Sequence, residues 1–61
     1  MDLRTYLWEE KIKPSHMAYH LGVAPATIYH WMSGKSKPNV MHCQAIEKYT
    51  NKQVLMKDFY G

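Results

Sequence analysis

Tyr29 and His30 are the adjacent pair in this 61-residue chain whose side chains are best suited to reading a polar partner. Their neighbours Ile28 and Trp31 are apolar, so a helix through this stretch turns Ile28 and Trp31 inward and Tyr29 and His30 outward. A phenol donates to a base edge or a phosphate, or lays its ring on a thymine methyl. An imidazole donates to guanine N7 or O6, or to a phosphate. Thr27 offers a methyl and a hydroxyl, and Ala26 is small enough to let a helix approach closely. Should this helix enter a DNA groove, Ala26, Thr27, Tyr29 and His30 are the candidate base-contacting residues. A second set suits phosphate oxygens. Lys35 and Lys37 lie just beyond this helix, with the hydroxyls of Ser33 and Ser36 among them. Lys13, Ser15 and His16 fall where another helix begins, and free N–H groups and the positive end of a helix dipole favour an anion there.

Other chemistries find little footing. His16 and His20 are four apart on one helical face, a spacing that can ligate a metal, and His42 adjoins Cys43. A structural zinc site needs about four converging ligands, however, and nothing in the spacing joins the two pairs. Cys43 falls in a row with Val40 and Ile46 and reads as a core residue, so no metal is expected. Glu9 and Glu10 are adjacent and point apart on a helix. There is no glycine-rich phosphate loop, and no hydroxyl or thiol has both a base and an orienting acid. The chain is expected not to be an enzyme, with no catalytic residues, no cofactor and no small-molecule substrate.

The charge distribution supports the phosphate set. Eight Lys and Arg against five acids give a net charge of +3. All five acids (Asp2, Glu9, Glu10, Glu47 and Asp58) lie toward the ends, and residues 11–46 hold no carboxylate. Lys11, Lys13, Lys35, Lys37 and all four histidines fall within that segment, which resembles an electrostatic footprint for a polyanion. An apolar content of 46% is too high for a disordered chain, and no apolar run is long enough to span a bilayer. Cys43 is the single cysteine. It excludes an internal disulfide and agrees with a reducing compartment. With no hydrophobic signal region at the start, the expectation is a cytoplasmic protein.

The elements that must position these residues are marked by caps, prolines and glycines. Asp2 caps a first helix to about Glu10, with Leu3, Tyr6 and Leu7 toward the core. Pro14 opens a second helix ending at Leu21, with Met17, Ala18 and Leu21 inward. Gly22 supplies the positive φ of a tight reversal, and Pro25 opens a third helix with Ile28, Trp31 and Met32 inward. Gly34 stops it. Asn39 caps a fourth helix with Val40, Cys43, Ile46 and Tyr49 at spacing three. Val54 to Phe59 fits a final helical turn better than a short strand. Trp8, Phe59 and Tyr60 are hard to bury in so small a body and are candidates for a dimer contact. The expectation is a single all-α domain over residues 1–61, a compact bundle of about five short helices. Its second and third helices form a helix-turn-helix, whose second helix fits a DNA major groove.

Several of these residues resemble the Cro/C1 (lambda-repressor-like) helix-turn-helix family: Ala18, Leu21, Gly22, Val23, Thr27, Ile28 and Trp31, then Ser33, Gly34, Lys35 and Pro38. The later stretch from Cys43 to Thr50, with Val54, Asp58 and Phe59, looks like the small Cro and YdaS-like branch. The resemblance implies a small phage, prophage or mobile-element regulator that binds operator DNA as a homodimer, most commonly as a repressor. It also implies that bases are read from the start of the third helix, at about residues 25–33. Two positions depart from the family pattern: Pro25 and Pro14 stand where the family often carries a polar residue, so a base contact and a phosphate contact are missing. The alternative reading is a protein-interaction module, antitoxin- or antirepressor-like, on the same fold.

Overall fold

The computed structural model describes residues 1–60, and those residues form five helices with no strand among them: α1 (Leu3–Glu10), α2 (Pro14–Leu21), α3 (Pro25–Ser33), α4 (Val40–Tyr49) and α5 (Lys57–Tyr60). The all-α expectation holds, with helix starts and stops where the punctuation put them. Asp2 accepts a hydrogen bond from the Thr5 N–H at 2.7 Å, and Asn39 accepts from the His42 N–H at 2.8 Å. Each satisfies an N–H that has no partner within its helix. α2 and α3 begin differently. Each has proline in its first turn and no side-chain cap, with Lys13 and Ala24 at the capping positions.

The turn of residues 22–24 joins α2 to α3. Gly22 takes a left-handed φ of 72°, and the Val23 N–H donates to the Ala18 carbonyl at 3.0 Å. This six-residue loopback closes the carbonyl end of α2 and reverses the chain. Gly34, at φ 81°, ends α3. α1 ends in the same left-handed geometry without glycine, at Lys11 with φ 56°, and the Ile12 N–H reaches back to the Leu7 carbonyl at 2.9 Å.

One contiguous core is built from Leu3, Tyr6, Leu7, Met17, Ala18, Ile28, Trp31, Ile46 and Val54, with Leu21, Met32, Tyr49 and Phe59 partly buried against it. α3 packs on α2 and α1, while α2 also packs on α4. The molecule measures 24 × 20 × 19 Å. Most expected core residues are in place, but Val40 is 58% exposed. At 100° per residue, each step of three falls 60° short of a full turn. Val40 and Tyr49 therefore lie about 180° apart on α4 and cannot share one core face. The middle of the row is buried, at Cys43 and Ile46; Val40 faces solvent and Tyr49 is half-buried.

The last segment also differs from expectation. Val54 and Leu55 lie outside any helix, and only Lys57–Tyr60 is helical. Thr50 explains how the chain turns in. It is fully buried; its hydroxyl donates to the Ile46 carbonyl at 2.8 Å and accepts from the Val54 N–H at 3.1 Å. Asn51 and Lys52 then take left-handed φ values of 55° and 66°, which swings Val54 into the core. Asp58 starts α5 by accepting the Leu55 N–H at 2.8 Å. Among the described residues no helix is long and apolar enough to cross a membrane.

Candidate nucleic-acid interface

α3 is fixed from below. Ile28 is wholly inaccessible and Trp31 is 6% exposed, with the Trp31 ring 5.3 Å from that of His42 on α4. Those two anchors set the rotation of the helix. Residues 26, 29, 30 and 33 follow a three- and four-residue rhythm and so share one stripe opposite the anchors. Ala26 and Ser33 are exposed, Tyr29 is 54% exposed, and His30 is half-buried. Thr27 is also half-buried, lying at the edge of the stripe. Ala26, Tyr29 and His30 are thus brought onto one accessible face; Thr27 flanks it.

The loop after α3 divides into unequal parts. The Ser33 hydroxyl is already engaged, donating to the His30 carbonyl at 3.2 Å and accepting from the Lys35 N–H at 3.4 Å. It finishes the helix before it can serve a ligand. Ser36 and Lys37 line an open cleft of about 460 Å³ that also takes in Asp2, Arg4, Trp31 and Asp58. The Lys37 ammonium sits 5.2 Å from the centre of the Tyr60 ring, and the Tyr60 hydroxyl donates to the Pro38 carbonyl. Lys37 therefore shares its charge with an aromatic face and has two carboxylates along the same cleft. Lys35 is exposed and lies outside that cleft. Of the two lysines, Lys35 is the freer to meet a phosphate.

Lys13, Ser15 and His16 are all exposed at the start of α2. With proline in the first turn and no side-chain cap, this end keeps its positive dipole uncompensated by protein groups. The start of α3 has the same character, with Ala24 in the capping position. Among the described residues, the one ion pair joins the Met1 ammonium to Asp58 at 3.2 Å, so none of the central lysines is paired with a carboxylate.

Arg4 was not foreseen. It is exposed on the first turn of α1 and lines the cleft beside Ser36 and Lys37. It lies outside the acid-free segment, and nothing in its local sequence marks it. Cys43 donates its thiol to the Pro38 carbonyl at 3.6 Å, and burial, with a smaller push from Glu47, raises its pKa. It is a packing residue, as its spacing suggested. Among the described residues no three potential metal ligands converge.

No family model, curated protein or solved structure matches this chain.

Proposed function

We propose that the chain is a sequence-specific binder of double-stranded DNA, a small cytoplasmic helix-turn-helix regulator that resembles the Cro/C1 family and acts as a repressor. In this reading α3 enters the major groove and α2 braces it across the backbone. Ala26, Tyr29 and His30 meet base edges, with Thr27 at the rim. Lys13, Ser15, His16 and Lys35 meet phosphates, with Ser33, Ser36 and Lys37 contributing less. Two copies would read half-sites about 34 Å apart, one helical turn of DNA. The observation that carries the reading is the outward stripe of Ala26, Tyr29 and His30 on a helix pinned by Ile28 and Trp31, within a segment free of carboxylates.

Selection from a pool of random duplexes, followed by binding at several salt concentrations, tests it. A recurring half-site should emerge, and five or six phosphate contacts give a log–log salt slope of about −5. No enrichment, or a salt-independent affinity, would end the proposal. Lys35→Ala should weaken operator and random duplex alike and flatten the slope by about one unit.

A second reading has its own support. Pro25 and Ala26 offer little to a base edge, and Trp8 and Met41 are 79% and 77% exposed. Large exposed apolar side chains suit a protein-interaction module of the antitoxin or antirepressor kind. Failure to bind any duplex at low salt would favour it.

A further inference from the structure

His16 and His20 lie one turn apart on the solvent side of α2, and both are exposed. Their ring centroids are 4.6 Å apart. His20 is flanked by aromatic neighbours, with the Tyr19 and Tyr49 rings each centred 5.8 Å away. Metal–nitrogen bonds to imidazole are about 2.0–2.1 Å, and each ring centre lies about one ångström behind its nitrogen. With one nitrogen of each ring turned to a common point, two rings 4.6 Å apart can share one ion at an N–metal–N angle of about 90–95°. That is the cis angle of square-planar and octahedral ions, narrower than the tetrahedral angle zinc prefers. The rings are tilted 62° to each other, and the broad χ2 torsion of histidine adjusts this without moving the backbone.

We propose that His16 and His20 form a two-imidazole chelate for a divalent ion of the nickel(II) or copper(II) class. Among the described residues no third histidine, cysteine or carboxylate converges with them, so water fills the remaining positions. The ion ties one turn of α2 to itself. α2 is a helix whose first turn has no side-chain cap, so metal loading stabilises it. The site shares His16 with the proposed phosphate set, but it requires neither a duplex nor a second copy, so its metal binding is tested apart from the DNA reading.

The test is a titration of the full chain with Ni²⁺, free of DNA, followed by calorimetry, thermal unfolding and paramagnetic broadening of the histidine ring signals. One equivalent should bind and broaden His16 and His20 before His30 and His42. A tenfold excess of Ni²⁺ over its dissociation constant should raise Tm by about 5–10 °C. His16→Asn and His20→Asn should each weaken binding by about tenfold or more, because either change reduces a chelate to a single contact. His42→Gln should change it by less than about twofold. Both exposed variants are checked for helix content, so a loss of binding is separable from a loss of fold. Unchanged affinity in His16→Asn and His20→Asn, or broadening centred on His42, would overturn the proposal.

Discussion

The α2–α3 corner and the α1–α4 scaffold begin their helices in opposite ways. α1 and α4 start with Asp2 and Asn39, whose side chains satisfy backbone N–H groups. α2 and α3 start with proline and have no side-chain cap. The charges divide along the same line: all five acids lie on or beside α1, α4 and α5, at Asp2, Glu9, Glu10, Glu47 and Asp58, whereas α2 and α3 carry none. One region spends its polar groups on its own backbone. The other holds its form through packing and leaves the first turns of its helices without a side-chain cap. Under the proposed DNA reading, stability and recognition would fall to different side chains, and each could be altered without the other.

The largest effect comes from removing the packing that holds the corner. Ile28 is fully buried between the helices, so Ile28→Ala should cost about 2–5 kcal/mol. A domain of this size has only about 3–9 kcal/mol to lose. Denaturant unfolding should show a sharply lower midpoint, and a loss under 1 kcal/mol would mean that α3 is not anchored there. Next in size is the proposed readout. Tyr29→Ala and His30→Ala should each reduce the preference for a selected operator by about 1–3 kcal/mol while nonspecific binding persists. Equal losses on operator and random duplex would remove these residues from base reading.

Capping should behave in the opposite way. Asp2→Ala and Asn39→Ala should each cost about 0.5–2 kcal/mol of stability, and Asn39→Ala should leave duplex affinity unchanged in the folded protein. Asp2 and Asp58 also give the scaffold a pH dependence. Hydrogen bonds from the Thr5 and Leu55 N–H groups hold their carboxyl pKa values below the usual carboxylate value. A carboxyl lowered by folding contributes stability that is fully present above its unfolded pKa of about 3.9 and lost as pH falls through the folded value. The midpoint of denaturant unfolding should fall in that acid range, and Asp2→Asn should shallow the decline. An unchanged slope would mean that the Thr5 N–H contributes nothing to it.

The smallest effect is at the end of α4. Lys52 holds a left-handed φ of 66°, a conformation that burdens a residue bearing a Cβ. Lys52→Gly should raise stability by about 0.5–1 kcal/mol, measured as a higher unfolding midpoint.

The features that were readable in the sequence were local ones. Asp2, Pro14, Gly22, Pro25, Gly34 and Asn39 act within a turn of their own position, so four helices were placed from residue type and spacing. The exposure of Tyr29 followed from the phase set by Ile28 and Trp31. What was missed depended on contacts over distance or on accumulated angle. Val40 was assigned to the core because a spacing of three looks periodic over one turn and drifts over three. The burial of Thr50 and Val54 was not legible because an inward turn built on Asn51 and Lys52 carries no glycine to announce it. Within the candidate site, Lys37 lies over a ring 23 positions away at Tyr60, and no local pattern could separate it from Lys35.

The central claim is that the outward stripe of α3 contacts duplex DNA. Its most direct test is a titration of the labelled protein with a selected duplex, followed by backbone amide chemical shifts. The largest shifts should fall on residues 26–30, with smaller ones on residues 13–16 and 33–37, and few on the outer faces of α1 and α4. Shifts concentrated at Trp8, Val40 and Met41, with α3 unmoved, would contradict it.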